Sequence, residues 1–461
     1  MTMKFFHLTI FISSILLTFC FESFGQNYIG GEIKNDTTIT NVGNPYILTN
    51  DLTVKEGVSL TLAKGVIIKP IEKTTSIQVF GTLQINGTFE EPVVFTSYAD
   101  DDHGGDSNGD GDLTVPKSGD WGAINFYYPG KNNRIKNAWI GYGSDYTSKG
   151  VVYNKSLGLE IDSCTFYGSA AYAINSTRSV TISNSTIDES QSGGVLLDLV
   201  NASAEINIFN NTFTNNKKQA VLALLAGTKV EINSKGNICK NSELNGIYIK
   251  NNSIGNLTFN GDSLLPLIMD NGLVEQSTIF KIEEGSWIAF TQSNSQIQVM
   301  GTMLAQGAFN NPIVFTSIKD IYTGTEEVDS LNTPKAGDWN RIVFYLNSKE
   351  NKIKNVEFRY GGNNSSSVLL NSLDVEIDSC VFMYSNNSGI QVDFSLINPQ
   401  NSIVEKEAII GSTELTDLKI ENCSFIYNIK DGIFIHGYRS SGNLIFLNNV
   451  FTGNRYPINV E

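Results

Sequence analysis

The chain repeats itself on two scales, and this constrains its fold more than any other property. On the long scale, Gly81 to Ser97 (GTLQINGTFEEPVVFTS) aligns without a gap on Gly301 to Ser317 (GTMLAQGAFNNPIVFTS), with 9 of 17 positions identical. The same offset of 220 pairs Leu60 with Phe280 and Gly65 with Gly285. It drifts to 218 at Gly119-Asp120-Trp121 and Gly337-Asp338-Trp339, and to 216 at Cys164 and Cys380. On the short scale, six-residue units with apolar ends recur: Ile161 to Phe166, Ile182 to Ile187, Ile208 to Phe213, Ile377 to Phe382, Ile420 to Phe425 and Phe446 to Phe451. Successive starts at 161, 182, 208 and 232 lie 21, 26 and 24 residues apart.

Each short unit reads as an alternating strand, a polar corner and a second strand. A beat of 20–30 residues made of strands and turns, with no helical periodicity between them, predicts an all-β parallel β-helix. A single coil cannot bury its inward side chains, so coils must stack about 4.8 Å apart. At roughly 24 residues per coil, the chain would form roughly 18 coils. The corner residues Asn184, Asn210, Asn422 and Asn448 suit this plan, because Asn tolerates left-handed backbone and its amide can bond the next coil. Cys164, Cys380 and Cys423 share a slot with Ser185, Asn211 and Asn449, which reads as packed thiols. A disulfide remains the alternative for an exported chain.

The resulting layout is a leader at 1–25, a lead-in and cap at 26–44, block 1 at 45–262 with an acidic insertion at 98–118, and block 2 at 263–461. A break into two shorter rods near Ser263 to Pro266 is the competing reading. The leader assignment rests on Lys4, the apolar run from Phe5 to Phe21 and the small residues Ser23 and Gly25 before Gln26. A membrane anchor is the alternative for that run; lipidation at Cys20 is disfavoured by the bulky Phe19 before it. No other stretch is apolar enough to anchor the chain, so the expectation is a secreted or cell-surface protein.

Composition narrows function. With 47 acidic and 32 basic residues the net charge is −15, which disfavours a polyanionic nucleic-acid partner. A 41% hydrophobic, 10% aromatic chain is not disordered. Only 3 His are present, and no zinc spacing, Ser-His-Asp pattern or phosphate-cradling loop accompanies them.

The passage from Gly81 to Ser97, the acidic insertion, Pro116-Lys-Ser-Gly-Asp-Trp121 and Asn133-Arg-Ile-Lys-Asn-Ala-Trp-Ile-Gly-Tyr142 together resemble bacterial secreted or surface right-handed parallel β-helix, pectin-lyase-like repeat proteins. The resemblance implies that fold and export. It leaves activity open, since lyases, hydrolases, adhesins and spacers share the fold.

Two kinds of site are expected. Asp106, Asn108, Asp110 and Asp112 place oxygen ligands at alternate positions with glycines between them, as in the first half of a calcium loop. The twelfth position falls on Lys117, so Asp100, Asp102 or Asp120 would complete the shell. A solvated turn is the bland alternative, but six Asp within 13 residues repel one another without a cation. The matching region of block 2 keeps only Glu326, Glu327 and Asp329, so one Ca2+ site is expected. Trp121, Tyr127, Tyr128, Trp339 and Tyr345 are glycan-stacking candidates, although each Trp follows Gly-Asp at a duplicated insertion boundary, where covering the apolar edge of the coil is the favoured reading. A polysaccharide lyase or hydrolase is the competing function. It would need carboxylates and a Lys or Arg base in one cleft, and nothing in the spacing of Arg134, Lys136, Arg178, Lys217, Lys218, Lys354 and Arg359 makes them converge on the acidic insertion. The functional expectation is therefore a non-catalytic module that binds a glycan or surface partner, with calcium fixing one loop.

Overall fold

The computed structural model describes residues 26–144, 150–200, 203–226, 229–250, 252–321, 333–372, 374–394, 418–436 and 444–461. The leader at 1–25 lies outside the described residues, as do Glu326, Glu327 and Asp329. Almost every described element is a short strand, and the strands pair in parallel with the strand one coil further along. In the strands Asn133–Lys136, Leu159–Asp162 and Val180–Ser183 buried and outward residues alternate, and Ile135, Ile161, Ile182 and Ile208 stack in register and are fully buried. Apolar residues at a period of two therefore line a closed coil, and stacking the coils makes one continuous apolar core.

One sheet runs unbroken through 15 described strands, from Thr37–Ile39 to Leu444–Leu447. That is fewer than the mean spacing implies, because insertions lengthen some coils: Thr82–Asn86 and Asn133–Lys136 are direct neighbours in this sheet with the acidic insertion between them. The pairing crosses the duplication boundary without interruption, Lys229–Lys235 onto Leu257–Asn260 and then Ile279–Ile282.

The other two strand positions of the coil behave differently at the boundary. Leu244–Ile249, the third strand of its coil, pairs with Leu267–Met269, which starts the ladder of second strands in block 2. The third ladder of block 2 starts afresh at Asn271–Val274. Block 1 begins the same way. Asn27–Ile33 covers Tyr46–Val54, whose first half pairs with Ile67–Pro70 and whose second half pairs with Ile77–Val79. Thr37 lies on Leu60 as Leu257 lies on Phe280, so the offset of 220 extends back into the lead-in.

The corners follow from residue chemistry. Asn184, Asn210, Asn422 and Asn448 have φ between 51° and 55°, the left-handed region that Asn enters at low cost. The Asn448 amide donates to Asn422 at 3.2 Å, and Asn422 donates to Asp378 at 2.8 Å. The next residue points inward and bonds the adjacent coil: Cys164 N–H to Ser185 at 3.1 Å, Ser185 N–H to Asn211 at 2.9 Å and Cys423 N–H to Asn449 at 2.9 Å. Cys164, Cys380 and Cys423 are buried free thiols in this stack. In block 2, Phe315, Phe358, Phe382, Phe425 and Phe451 stack at 4.8 to 5.4 Å, matching the strand separation.

Candidate functional site

The acidic insertion is anchored from below by a residue that the repeat pattern hides. Lys69 sits in the strand Ile67–Pro70 and is fully buried. Its ammonium donates to the Asp100 carbonyl at 2.6 Å, the Gly105 carbonyl at 2.8 Å and Ser107 Oγ at 2.8 Å, which uses all three of its donors. Burial pulls the Lys69 pKa below its ordinary value, against the opposing attraction of Asp100, Asp101 and Asp106. At the offset of 220 the counterpart is Ala289. A lone Lys inside the apolar run Val66-Ile-Ile-Lys-Pro70, replaced by Ala in the copy with the weaker acidic loop, was the available sequence signal.

Above Lys69 the carboxylates divide into two groups. Asp101, Asp106 and Asp110 bring ligand oxygens within 4.8 Å of one another. Asp106 accepts N–H bonds from Gly109 at 2.7 Å, Asp110 at 3.2 Å and Gly111 at 2.9 Å, and the Gly111 bond leads in holding its pKa low. Asp101 Oδ1 is buried with no hydrogen-bond partner, and desolvation, then repulsion from Asp106, raises its pKa. A divalent cation is the kind of partner that such an oxygen lacks.

Asp100 and Asp102 do not join this cluster. Asp100 is turned inward, accepting from Thr96 Oγ1, from His103 Nδ1 at 2.7 Å and from Asp102 N–H at 3.1 Å. Burial would raise its pKa, but the bonds from His103 and Thr96 outweigh it and hold the group low. Asp102 and Asp112 are exposed. Asn108 donates to Asp110 at 3.0 Å and to Thr114 at 2.8 Å, bracing the loop from within. Alternation along the sequence selected Asp100 and Asp102, whereas the turn at 100–104 points Asp101 at the cluster instead. Asp120 also serves elsewhere, accepting from Ser97 Oγ at 2.7 Å and Lys117 N–H at 2.8 Å.

The two candidate tryptophans offer no face to a sugar. Trp121 and Trp339 are fully buried, with Nε1 donating to the Gly141 carbonyl at 2.8 Å and the Arg359 carbonyl at 2.7 Å. Trp339 stacks on Phe290 with ring centroids 4.5 Å apart. An indole at the insertion boundary fills the space where the coil reopens. Tyr127 stacks on Phe80 at 4.7 Å, and Tyr128 is 63% exposed. Lys136 and Lys354 pair with Asp162 at 3.8 Å and Asp378 at 2.9 Å in equivalent places, so both serve the stacking of coils.

Tyr345 leads to a groove that the sequence did not reveal. Its hydroxyl accepts from Gln298 at 3.1 Å. Gln298, Gln296, Asn271, Asn252, Asn294 and Arg341 line a cavity of about 480 Å³ on the third ladder of block 2, and no Asp or Glu is among its described lining residues. Arg341 Nε donates to Gln296 Oε1 at 3.3 Å. The corresponding positions in block 1 carry Asp51, Ser76, Gln78 and Ala123. There Asp51 accepts from Ser76 N–H at 2.9 Å and from the Gln78 amide at 3.0 Å, whereas in block 2 Asn271 accepts the Gln296 N–H at 3.2 Å and the Gln298 amide turns to Tyr345.

Residues 31–124 match the family model for a pectate-lyase like beta helix domain, and residues 122–235 match that for a right handed beta helix region. These matches and the parallel ladders above give the chain a right-handed parallel β-helix fold, with a pectate-lyase-like β-helix domain matched over residues 31–124. Protein bark beetle of Drosophila melanogaster is 36% identical over 72 residues, a stretch amounting to 16% of this chain and 2% of that protein. The chain thus covers a small fraction of the relative's length. No solved structure matches. No helix among the described residues is long and apolar enough to cross a membrane.

Proposed function

We propose that this chain is a non-catalytic β-helix module, secreted or held at a cell surface, that binds a glycan or a glycan-bearing partner. The amide groove around Arg341 carries this reading. A concave wall of side-chain amides with one guanidinium and no described carboxylate suits the hydroxyls of a saccharide, and it stands out in a chain of net charge −15. The test is a titration of the full chain with neutral and uronate oligosaccharides. Arg341→Gln should weaken the bound ligand about tenfold, the scale of one charged hydrogen bond. Equal affinity in the variant would remove this groove from the function.

Calcium is the second part of the proposal. Asp101, Asp106 and Asp110 would hold the ion, which would neutralise their mutual repulsion and tie the insertion to the coil. The unpartnered Asp101 Oδ1 supports this fit.

One observation favours a catalytic alternative, a lyase or hydrolase. Asp100, 3% exposed, holds His103 Nδ1, which leaves Nε2 as the free nitrogen of the ring. Against it, the cation nearest the acidic cluster, Lys69, is buried and fully engaged with oxygen acceptors, so it is not placed to act as a base. Release of reducing ends or unsaturated uronates from polysaccharides, lost in His103→Gln, would establish the enzyme reading.

A further inference from the structure

Gly81 to Ser97 and Gly301 to Ser317 are identical at 9 of 17 positions, and the coil accounts for all but one of these identities. A side chain at Gly81, Gly301, Gly87 or Gly307 would run into the backbone carbonyl of Val58, Thr278, Asn137 or Asn355 respectively. Thr82 and Thr302 donate to the Lys131 and Lys349 carbonyls at 3.1 and 2.9 Å. Val94 to Ser97 and Val314 to Ser317 are buried, and Pro92 and Pro312 lead from the turn into those strands. The exception is Phe89 with its copy Phe309, 91% and 89% exposed. A large apolar side chain held in solvent twice, at the same place in both blocks, has no use inside the coil.

Each Phe sits on a turn, 87–92 or 307–312, that is pinned to the preceding coil. Glu91 donates its N–H to Thr88 Oγ1 at 3.0 Å, and its carbonyl accepts from Thr88 N–H at 3.1 Å and Gly65 N–H at 2.9 Å. In block 2, Asn311 and Ala308 exchange N–H bonds at 3.0 and 3.2 Å, and the Asn311 carbonyl accepts from Gly285 N–H at 3.1 Å. The next five corners along this edge hold one or two residues each, so the longer Phe89 turn projects beyond them. Thr82–Asn86 and Thr302–Gln306, the strands that lead into the two turns, lie eight strand spacings apart in the 15-stranded sheet, about 38 Å. The neighbours of the two rings differ in charge. Glu90 and Glu91 follow Phe89, with Glu91 paired to Lys64, whereas Asn310 and Asn311 follow Phe309.

We infer that two copies of this chain pair side by side and antiparallel, with Phe89 of each copy packing on Phe309 of the other. Two equal projections at one corner of the coil are exchanged by a twofold axis set midway between them and perpendicular to the coil stack, so a second copy carries the matching spacing by construction. The charges select the direction. Parallel pairing would set the exposed Glu90 against Glu90, whereas antiparallel pairing sets it against the exposed amide of Asn310, which can donate to it. The two ring pairs bury what the coil leaves in solvent. This edge is independent of the Arg341 groove and of the acidic insertion.

The test is sedimentation equilibrium of the full chain over a concentration series, which should show a reversible monomer–dimer equilibrium. Phe89→Ser and Phe309→Ser should each weaken the dimer about tenfold or more, and to the same extent, because either one removes a ring from both contacts. An equimolar mixture of the two variants should dimerise more tightly than either alone, since the mixed dimer regains one Phe89–Phe309 contact. Asn310→Glu, which sets a carboxylate against Glu90, should weaken the dimer, and adding Glu90→Asn to the same chain should restore it. A monomer at every concentration would overturn the inference, as would unequal losses in the two Phe variants or a mixture no tighter than its components. Flotation with phosphatidylcholine vesicles separates the other occupant of such an edge: a monomeric chain that floats, and no longer floats in either Phe variant, would assign the rings to a lipid surface and discard the pairing.

Discussion

Lys69 and Asp100 are joined through the backbone rather than as an ion pair: the ammonium donates to the Asp100 carbonyl at 2.6 Å, while the Asp100 carboxylate is occupied by His103 and Thr96. The acidic insertion is therefore fastened by a cation that neutralises none of its carboxylates by direct contact. Lys69→Met should leave two carbonyls and a hydroxyl without their donor and cost about 1–3 kcal/mol, limited because the loop can open to water. Chemical denaturation, together with faster proteolysis between Gly104 and Gly111, would measure it. Unchanged stability and cleavage would show that Lys69 does not hold the loop.

The carboxylates that Lys69 leaves uncompensated are the calcium prediction. Addition of calcium should raise the melting temperature and chelation should lower it. At a hundredfold excess over Kd the stabilisation is about 2.7 kcal/mol. Asp101→Asn and Asp106→Asn should each abolish the calcium response, and Asp102→Asn should preserve it. A melting curve indifferent to calcium and chelator would remove the ion from the loop.

The equivalent residues Asp162 and Asp378 set an acid limit. Burial opposes their ionisation, but bonds from Asn184 and Asn422, with help from Lys136 and Lys354, hold both pKa values below the ordinary 3.8. A carboxylate depressed on folding contributes stability that is fully present above its unfolded value, near 3.9, and lost as pH falls through the folded value. Asn422→Gly keeps a residue that accepts φ of +53° and deletes the donor to Asp378. Its pH-dependent stability loss should be smaller than the parent's and should end at higher pH, because the folded pKa moves back toward the unfolded one, as read from melting temperature against pH. Superimposed curves would count against the assignment.

The corner thiols should be chemically silent. Burial pushes the Cys164 thiol up to about 12, and burial, then the hydrogen bond with Cys423, pushes Cys380 up as well. Cys164, Cys380 and Cys423 should resist a thiol-specific reagent in the native protein and react once it is unfolded. Rapid native labelling at any of the three would contradict the packed stack.

The buried tryptophans give a prediction of the opposite kind. Trp121→Ala and Trp339→Ala should each destabilise by about 3–5 kcal/mol. Trp339→Phe should fold and bind saccharide as the parent does, since the indole has no surface for a ligand. Loss of saccharide binding in a folded Trp339→Phe protein would return this residue to the glycan site.

Duplication, alternating Ile and Val, and corner Asn were enough to read a parallel β-helix from the chain, because stacking coils is the one arrangement that buries a period-two apolar pattern repeated every 20–30 residues. The slot of Cys164, Cys380 and Cys423 followed from the same repeat. The sites were legible only in part. Asp106 and Asp110 were found by spacing, but which neighbour turns toward them depends on backbone direction through the turn, and that brought in Asp101 and took Asp100 inward. Lys69 and Asp100 are 31 residues apart, and no local pattern joins them. The Arg341 groove is further removed still. Gln296 and Arg341 lie 45 residues apart and meet on one wall because coils of unequal length come into register. Local chemistry determined the coil; which polar side chains meet on its outer wall was decided only by stacking one coil on the next.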